Sequence, residues 1–236
     1  RFHRNTNRHP KRVVHSNQST STLMILSTDR DLLALEPTLF QDVPWVGQQR
    51  VRVSDTYVTG TSVTAASADF VAAQVETGSV VLIDRVAHEV VSRDDTSTLT
   101  VSLLRSRLAD AAIPGDSGGP FTLTARTFAP QAELVHDGLL RLLGIDVNDK
   151  EPDAITEDAV VSVSVMARLE ALGALERIYS GAAALTGDNQ MLIYKAGEYR
   201  RRFRHATAQA SVLLDTNGDG HADERRRLGM VRLQRV

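Results

Sequence analysis

Three stretches of this chain carry residue types whose spacing could support chemistry beyond packing. The first is Gly115-Asp116-Ser117-Gly118-Gly119-Pro120. Gly, Asp, Ser and Pro are what any exposed loop uses, and Ser117 carries the one hydroxyl among these six residues. The second is Asp215-Thr216-Asn217-Gly218-Asp219-Gly220-His221-Ala222-Asp223. Oxygens from Asp215, Asn217 and Asp219, the carbonyl of His221 and then Asp223 can converge on one hard cation such as Ca2+, with Gly220 permitting the sharp turn. A polar hairpin turn uses the same residues, so both readings stay open. The third is Arg200, Arg201, Arg202 and Arg204, a cationic row on a helical stretch. It suits DNA or a charged neighbour, although such a row is more often a solvated helix face.

The six letters Gly115–Pro120 resemble the nucleophile motif of the chymotrypsin-like serine proteases, which implies Ser117 as the nucleophile. The surroundings depart from that family. Its fold needs two barrels before and around the serine, whereas only roughly ninety patterned residues precede Ser117. Where such a protease carries Thr-Ala-Ala-His, this chain has Thr64-Ala65-Ala66-Ser67, and His88 lies too close in sequence to Ser117 for a two-barrel layout. A flexible loop joining a β unit to a helical one is therefore expected at Gly115–Pro120, and His88 is expected on a surface or strand edge. The acidic loop departs from the EF-hand in turn, since its twelfth position is Arg226 where a bidentate Glu is needed, with Asp223 as partial compensation.

The elements that must position these residues follow from periodicity. Helices are expected over Pro130–Leu143 (apolar Leu134, Leu139, Leu142, Leu143), over about Val165–Leu185, and over Met191–Ala210 with Ile193, Tyr194, Phe203 and Ala206 on one side. Pro130 suits a first turn, and Gly144 a C-cap. A short helix is expected from Thr28 towards Phe40, ended by Pro37, and Trp45 is expected to pack under the next element. Between Gln49 and Leu104, β-branched runs alternate with turn signals, which predicts a small antiparallel barrel or sandwich. After Ala210 a hairpin is expected, from Ser211–Leu214 and Gly229–Val236 about the acidic loop. The fold class is thus α+β: a short helix and β unit over 24–125, a helical unit of three main helices over 126–210, and a β-hairpin tail over 211–236.

Composition narrows the classes. Of 236 residues, 42% are hydrophobic and the formal net charge is −2, which is enough for a sizeable core and gives no support for wholesale nucleic-acid binding. The absence of cysteine excludes disulfides, thiolate catalysis and cysteine-ligated metals. No apolar run reaches the roughly 18 residues of a membrane span. Residues 1–23 are polar and basic, and Met24 directly precedes the first patterned segment, so they are expected to be a disordered or artefactual lead-in with Met24 as the natural start.

Taken in order, several stretches resemble the head–tail connector, or neck adaptor, proteins of tailed phages and prophages. The resemblance rests on Leu32-Leu33-Ala34-Leu35-Glu36-Pro37, on Phe128-Ala129-Pro130-Gln131, on Ala167-Arg168-Leu169-Glu170-Ala171-Leu172 with Ile178-Tyr179, and on Glu198-Tyr199-Arg200-Arg201-Arg202-Phe203 ahead of the acidic loop. It implies a non-enzymatic component of the virion neck, made in the host cytoplasm during assembly. Its implied partners are the portal and tail proteins, other copies in a homo-oligomeric ring, and DNA passing through a channel. A trypsin-like hydrolase using Ser117 and a calcium-stabilised interaction module are the competing readings.

Overall fold

β-Branched runs separated by Gly and Asp turns close into a barrel of six antiparallel strands. The computed structural model describes residues 25–149, 151, 154–187 and 189–229. The strands are β1 (Gln48–Thr59), β2 (Ser62–Ala65), β3 (Val80–Ile83), β4 (Val86–Arg93), β5 (Thr98–Ser102) and β6 (Gly118–Thr127), in the order β1-β2-β5-β4-β3-β6. Closure leaves no free sheet edge. The β3–β4 hairpin turns on Asp84 and Arg85, both at positive φ (43° and 75°), as a two-residue turn requires. Asp84 Oδ1 accepts the Thr122 N–H at 2.9 Å, which ties this turn to β6.

The barrel interior is filled by Val63, Phe70, Val81, Leu99, Val101 and Leu123. Strand β3 is apolar on both faces because it is a shared wall. Val81 and Ile83 point into the barrel, while Val80 and Leu82 pack against the helices.

Those helices are α1 (Asp29–Leu35), α2 (Leu39–Asp42), α3 (Ala129–Leu142), α4 (Val163–Thr186) and α5 (Gln190–Gln209), with a 3-10 turn at Glu157–Ala159. Asp31 accepts the Thr28 N–H at 2.8 Å to start α1. Asn189 Oδ1 accepts the Leu192 N–H at 3.3 Å to start α5. Gly144 beyond α3 has φ 73°, the left-handed geometry of a helix end. The long α4 and α5 pair along their length. Gly173 permits close contact of α4 with its neighbours, since a Cβ there would lie 2.6 Å from Val135 Cγ1 and 3.1 Å from Phe203 Cε2. One apolar core joins α1, α2, α4 and α5 to the outer wall of the barrel, with Phe40 and Phe128 edge-on at 5.1 Å. A second joins α3 and the start of α4 to the hairpin of β7 (Ser211–Leu214) and β8 (Glu224–Arg227). No helix among the described residues is long and apolar enough to cross a membrane.

The α+β class, the barrel, the three main helices and the hairpin are as the sequence predicts. Several details differ. Gly118-Gly119-Pro120 is not loop but the start of β6, the strand that closes the barrel between β1 and β3. Three turn-forming residues mask its strand signal, and the register is supplied by β1, where Val58 pairs with Gly118. Trp45 is half exposed (51%) rather than packed under the next element. Pro37 splits the first helical segment into α1 and α2. On α3 the buried face is Ala132, Val135, His136, Leu139 and Leu140, with Leu143 buried just beyond its end, leaving Leu134 and Leu142 exposed. On α5 the buried face is Leu192, Ala196 and Tyr199, with Ile193 and Tyr194 outside. The second hairpin strand is Glu224–Arg227, because Leu214 pairs with Glu224 directly across the acidic loop. The expected strand Gly229–Val236 falls, beyond Gly229, outside the described residues, as does the whole 1–23 lead-in with Met24.

Candidate functional site

Ser117 lies just before β6, exposed, where β1 turns into β2. Its Oγ accepts the Gly60 N–H at 3.0 Å. Contrary to the surface or edge position expected of it, His88 of β4 is buried (4% exposed) and packs against the same motif. Gly115 sits so close to the imidazole that a Cβ there would overlap Nε2. Nδ1–H donates to the Val86 carbonyl at 3.0 Å, which fixes the ring. Burial holds the His88 pKa below its usual value, against the raising effects of the Val86 carbonyl and the Asp116 charge. The structure thus brings a histidine to the motif, but the ring meets Gly115, two positions before the serine. No hydrogen bond among the described residues joins His88 to Ser117, so the base–nucleophile contact of a hydrolase is not formed.

The acidic loop is a tightly wound turn organised by its own side chains. Asp215 accepts N–H groups from Gly218 (2.8 Å), Asp219 (3.2 Å) and Gly220 (2.7 Å). Asn217 accepts from Asp219 at 3.0 Å, Asp219 from His221 at 2.8 Å, and Asp223 from Thr216 at 3.0 Å. The Thr216 backbone N–H, opposed by burial and helped by the Thr216 hydroxyl, keeps the Asp223 carboxyl below the ordinary range. The residues proposed as Ca2+ ligands therefore share one turn. Among the described residues no three His, Cys, Asp or Glu side chains form a metal-binding group.

The arginine row is largely compensated from within. Arg200 Nε donates to Glu176 at 3.1 Å, while Arg201 Nη2 and Arg202 Nε share Glu198 at 2.9 and 2.7 Å. Arg202 also lies 5.5 Å over the Tyr199 ring. Arg204 is exposed, with no ion pair among the described residues.

Three polar clusters escaped sequence reading. Glu89 of β4 is fully buried between Arg30 of α1 and Arg105, whose Nε donates to it at 2.6 Å; Arg30 Nε donates to its other oxygen. Burial opposes its charge, but the two guanidiniums hold its carboxyl below the usual range. Lys195 of α5 reaches Asp42 (2.8 Å), Glu36 (3.3 Å) and the Tyr179 hydroxyl (3.4 Å), stapling α5 to the α1–α2 turn. His136 of α3 lies between Glu170 (2.6 Å) and Glu157 (3.0 Å). In each, the partners are far apart in sequence, so no local spacing marks them. A cleft of about 140 Å³ between α1 and β6 is lined by Asp29, Arg50, Thr127 and Gly78. Burial pushes the Asp29 carboxyl up to about 6, although it accepts the Phe128 N–H at 2.9 Å. Comparison with known protein families, with curated proteins and with solved structures finds no match to this chain.

Proposed function

We propose that this chain is a structural head–tail connector of the tailed-phage type, a non-enzymatic component of the virion neck that docks between the portal and the tail proteins. The observation that carries this reading is the far end of the α4–α5 helical pair. There Leu185 (74% exposed), Tyr194 (73%), Met191 (50%) and Ile193 (45%) stand together around one helix–helix turn. Apolar side chains concentrated at a helical tip are what a partner surface covers. Behind the tip, Lys195 and the stacked Tyr179 and Tyr199 rings (5.7 Å apart) fix the two helices to each other and to α1–α2. The tip is thereby presented on a rigid arm. The order of motifs along the chain supports the same reading, as does the separation of His88 from Ser117.

The experiment is the solution mass of the 24–236 chain by light scattering, alone and with a candidate portal protein. Co-elution with the portal that is lost on Leu185→Glu/Tyr194→Glu is the expected result. A chain that ignores both portal and tail proteins under all conditions overturns the reading.

A further inference from the structure

The cleft beside α1 is built where the barrel meets the helices. Its walls are residues 27–29 with Thr127 and Phe128, and Arg50 of β1 with residues 74–79. Backbone contacts set how far apart these walls stand. The Arg30 N–H donates to Gly78 O at 3.0 Å, and a Cβ on Gly78 would lie 2.9 Å from Thr28 Cγ2. A volume of about 140 Å³ remains between them.

Three groups around this volume lack the partners that their surroundings call for. Ser27 is 6% exposed, and its buried Oγ has no hydrogen-bond partner, whereas buried hydroxyls are normally paired. Asp29 accepts the Phe128 N–H and a hydrogen bond from the Thr127 side chain, but forms no ion pair. Burial outweighs those bonds and leaves its carboxylate under-compensated. Arg50 gives Nη1 to the neutral Gln74 side chain and likewise forms no ion pair. Gln74, which holds it, sits at positive φ (51°), uncommon for a residue other than glycine. Of the other charges on the walls, Arg126 is drawn off to the Pro44 carbonyl and Gln49, each at 2.9 Å, and Glu76 is exposed. Asp29 and Arg50 thus attract each other without touching, and the space is open to a guest that meets both.

We propose that this cleft binds a small zwitterion of the α-amino-acid class, its ammonium group against Asp29 and Ser27 and its carboxylate against Arg50. Both contacts are charge-assisted, and the ammonium gives the Ser27 hydroxyl the partner that it lacks. A lone amine or a lone anion would leave the opposite charge uncompensated, as would a peptide terminus, which carries only one of the two. Leu32, Phe128 and Ala132 line the rest of the cleft, so the guest is a small one, of the size of glycine or alanine. The site stands apart from the connector reading and needs nothing from it.

The test is a chemical-shift titration of the full, isotope-labelled chain with glycine, methylammonium and acetate in turn. Glycine is expected to move the Ser27, Gly78 and Thr127 amide signals saturably at about millimolar concentration, a strength within reach of so few atoms. Methylammonium and acetate, each carrying one of the two charges, are expected to bind at least about tenfold more weakly. Asp29→Asn keeps an acceptor for the Phe128 N–H, yet it and Arg50→Gln should each weaken glycine binding at least about tenfold, and Ser27→Ala about two- to tenfold. Circular dichroism should be unchanged in all three. Should Asp29→Asn fail to fold, Arg50→Gln and Ser27→Ala carry the test. Amide signals that glycine does not move overturn the proposal, as does glycine binding that survives the substitutions. So does a single-charge probe that binds as well as glycine, which would give the cleft to a lone cation or a lone anion.

Discussion

Glu170 of α4 holds His136 of α3 with one oxygen, at 2.6 Å, and with the other accepts the N–H groups of Leu26 (3.0 Å) and Ser27 (2.9 Å). Both side chains are fully buried, and Glu157 meets the far side of the ring at 3.0 Å. One carboxylate therefore fastens two helices and the segment that enters α1.

Burial disfavours the charged imidazole, but Glu170 and Glu157 outweigh it and raise the His136 pKa above its ordinary 6.5. The unfolded chain loses this proton first. The stabilisation is complete below about pH 6.5 and fades as pH rises through the raised folded value. Melting temperature measured from pH 6 to 9 should fall on the alkaline side, and His136→Gln should flatten that slope. A wild-type profile matching the variant's would remove the pair from the stability of the fold.

Glu89 neutralises Arg30 and Arg105 inside the junction of α1 with the barrel. Glu89→Gln keeps the shape but leaves the buried Arg105 guanidinium without a counter-charge and Arg30 with only Asp31 at 3.9 Å, at a cost of about 3–5 kcal/mol. Denaturant titration should show this as a lower midpoint. Because the folded carboxyl is held below its ordinary range, the wild type should also lose this contribution as pH falls below about 4.5, the usual Glu value, and the variant should not.

Two helical glycines should respond with opposite signs. Gly197→Ala on exposed α5 meets no atom within 4 Å and should stabilise by about 0.5–1 kcal/mol through helix propensity. Gly173→Ala gains the same propensity, yet its Cβ would press on β-branched Val135, and overpacking costs about 1–3 kcal/mol. Net destabilisation is expected at Gly173. Equal and favourable shifts at both sites would show that α3 yields easily.

Ser117 should not react with a fluorophosphonate probe, because its Oγ accepts the Gly60 N–H and no imidazole is hydrogen-bonded to it. Mass spectrometry of the treated, folded protein reads this directly. A covalent adduct on Ser117 would put the hydrolase reading ahead of the connector.

Asp215→Ala removes the acceptor of three turn N–H groups, so the hairpin should loosen by about 1–3 kcal/mol without any metal. Hydrogen exchange at Gly218, Asp219 and Gly220 is the local measure. A melting temperature that rises with millimolar Ca2+ in wild type but not in Asp219→Ala would assign the loop to a cation. An unmoved one leaves Asp215 as the organiser of a turn.

Local chemistry was enough to read the elements whose signals are periodic or made by adjacent residues. Such signals are the β-branched runs of the barrel, the 3.6-residue repeat of α4, Pro130 and Gly144 about α3, and the Asp215–Asp223 turn. The fold class and element order followed from them. Tertiary structure decided what depends on residues distant in sequence. β6 is a strand because β1 and β3 pair with it, overriding the turn-forming Gly118-Gly119-Pro120. The buried faces of α3 and α5 were set by which side met α4 and α1–α2, so the apolar Leu134, Leu142 and Tyr194 were left outside. His88, Glu89, His136 and Lys195 gained their roles from partners that no window contains. Arg225 and Arg227 became a surface only when β8 paired with β7, since pairing register, not composition, determines which side chains point outward.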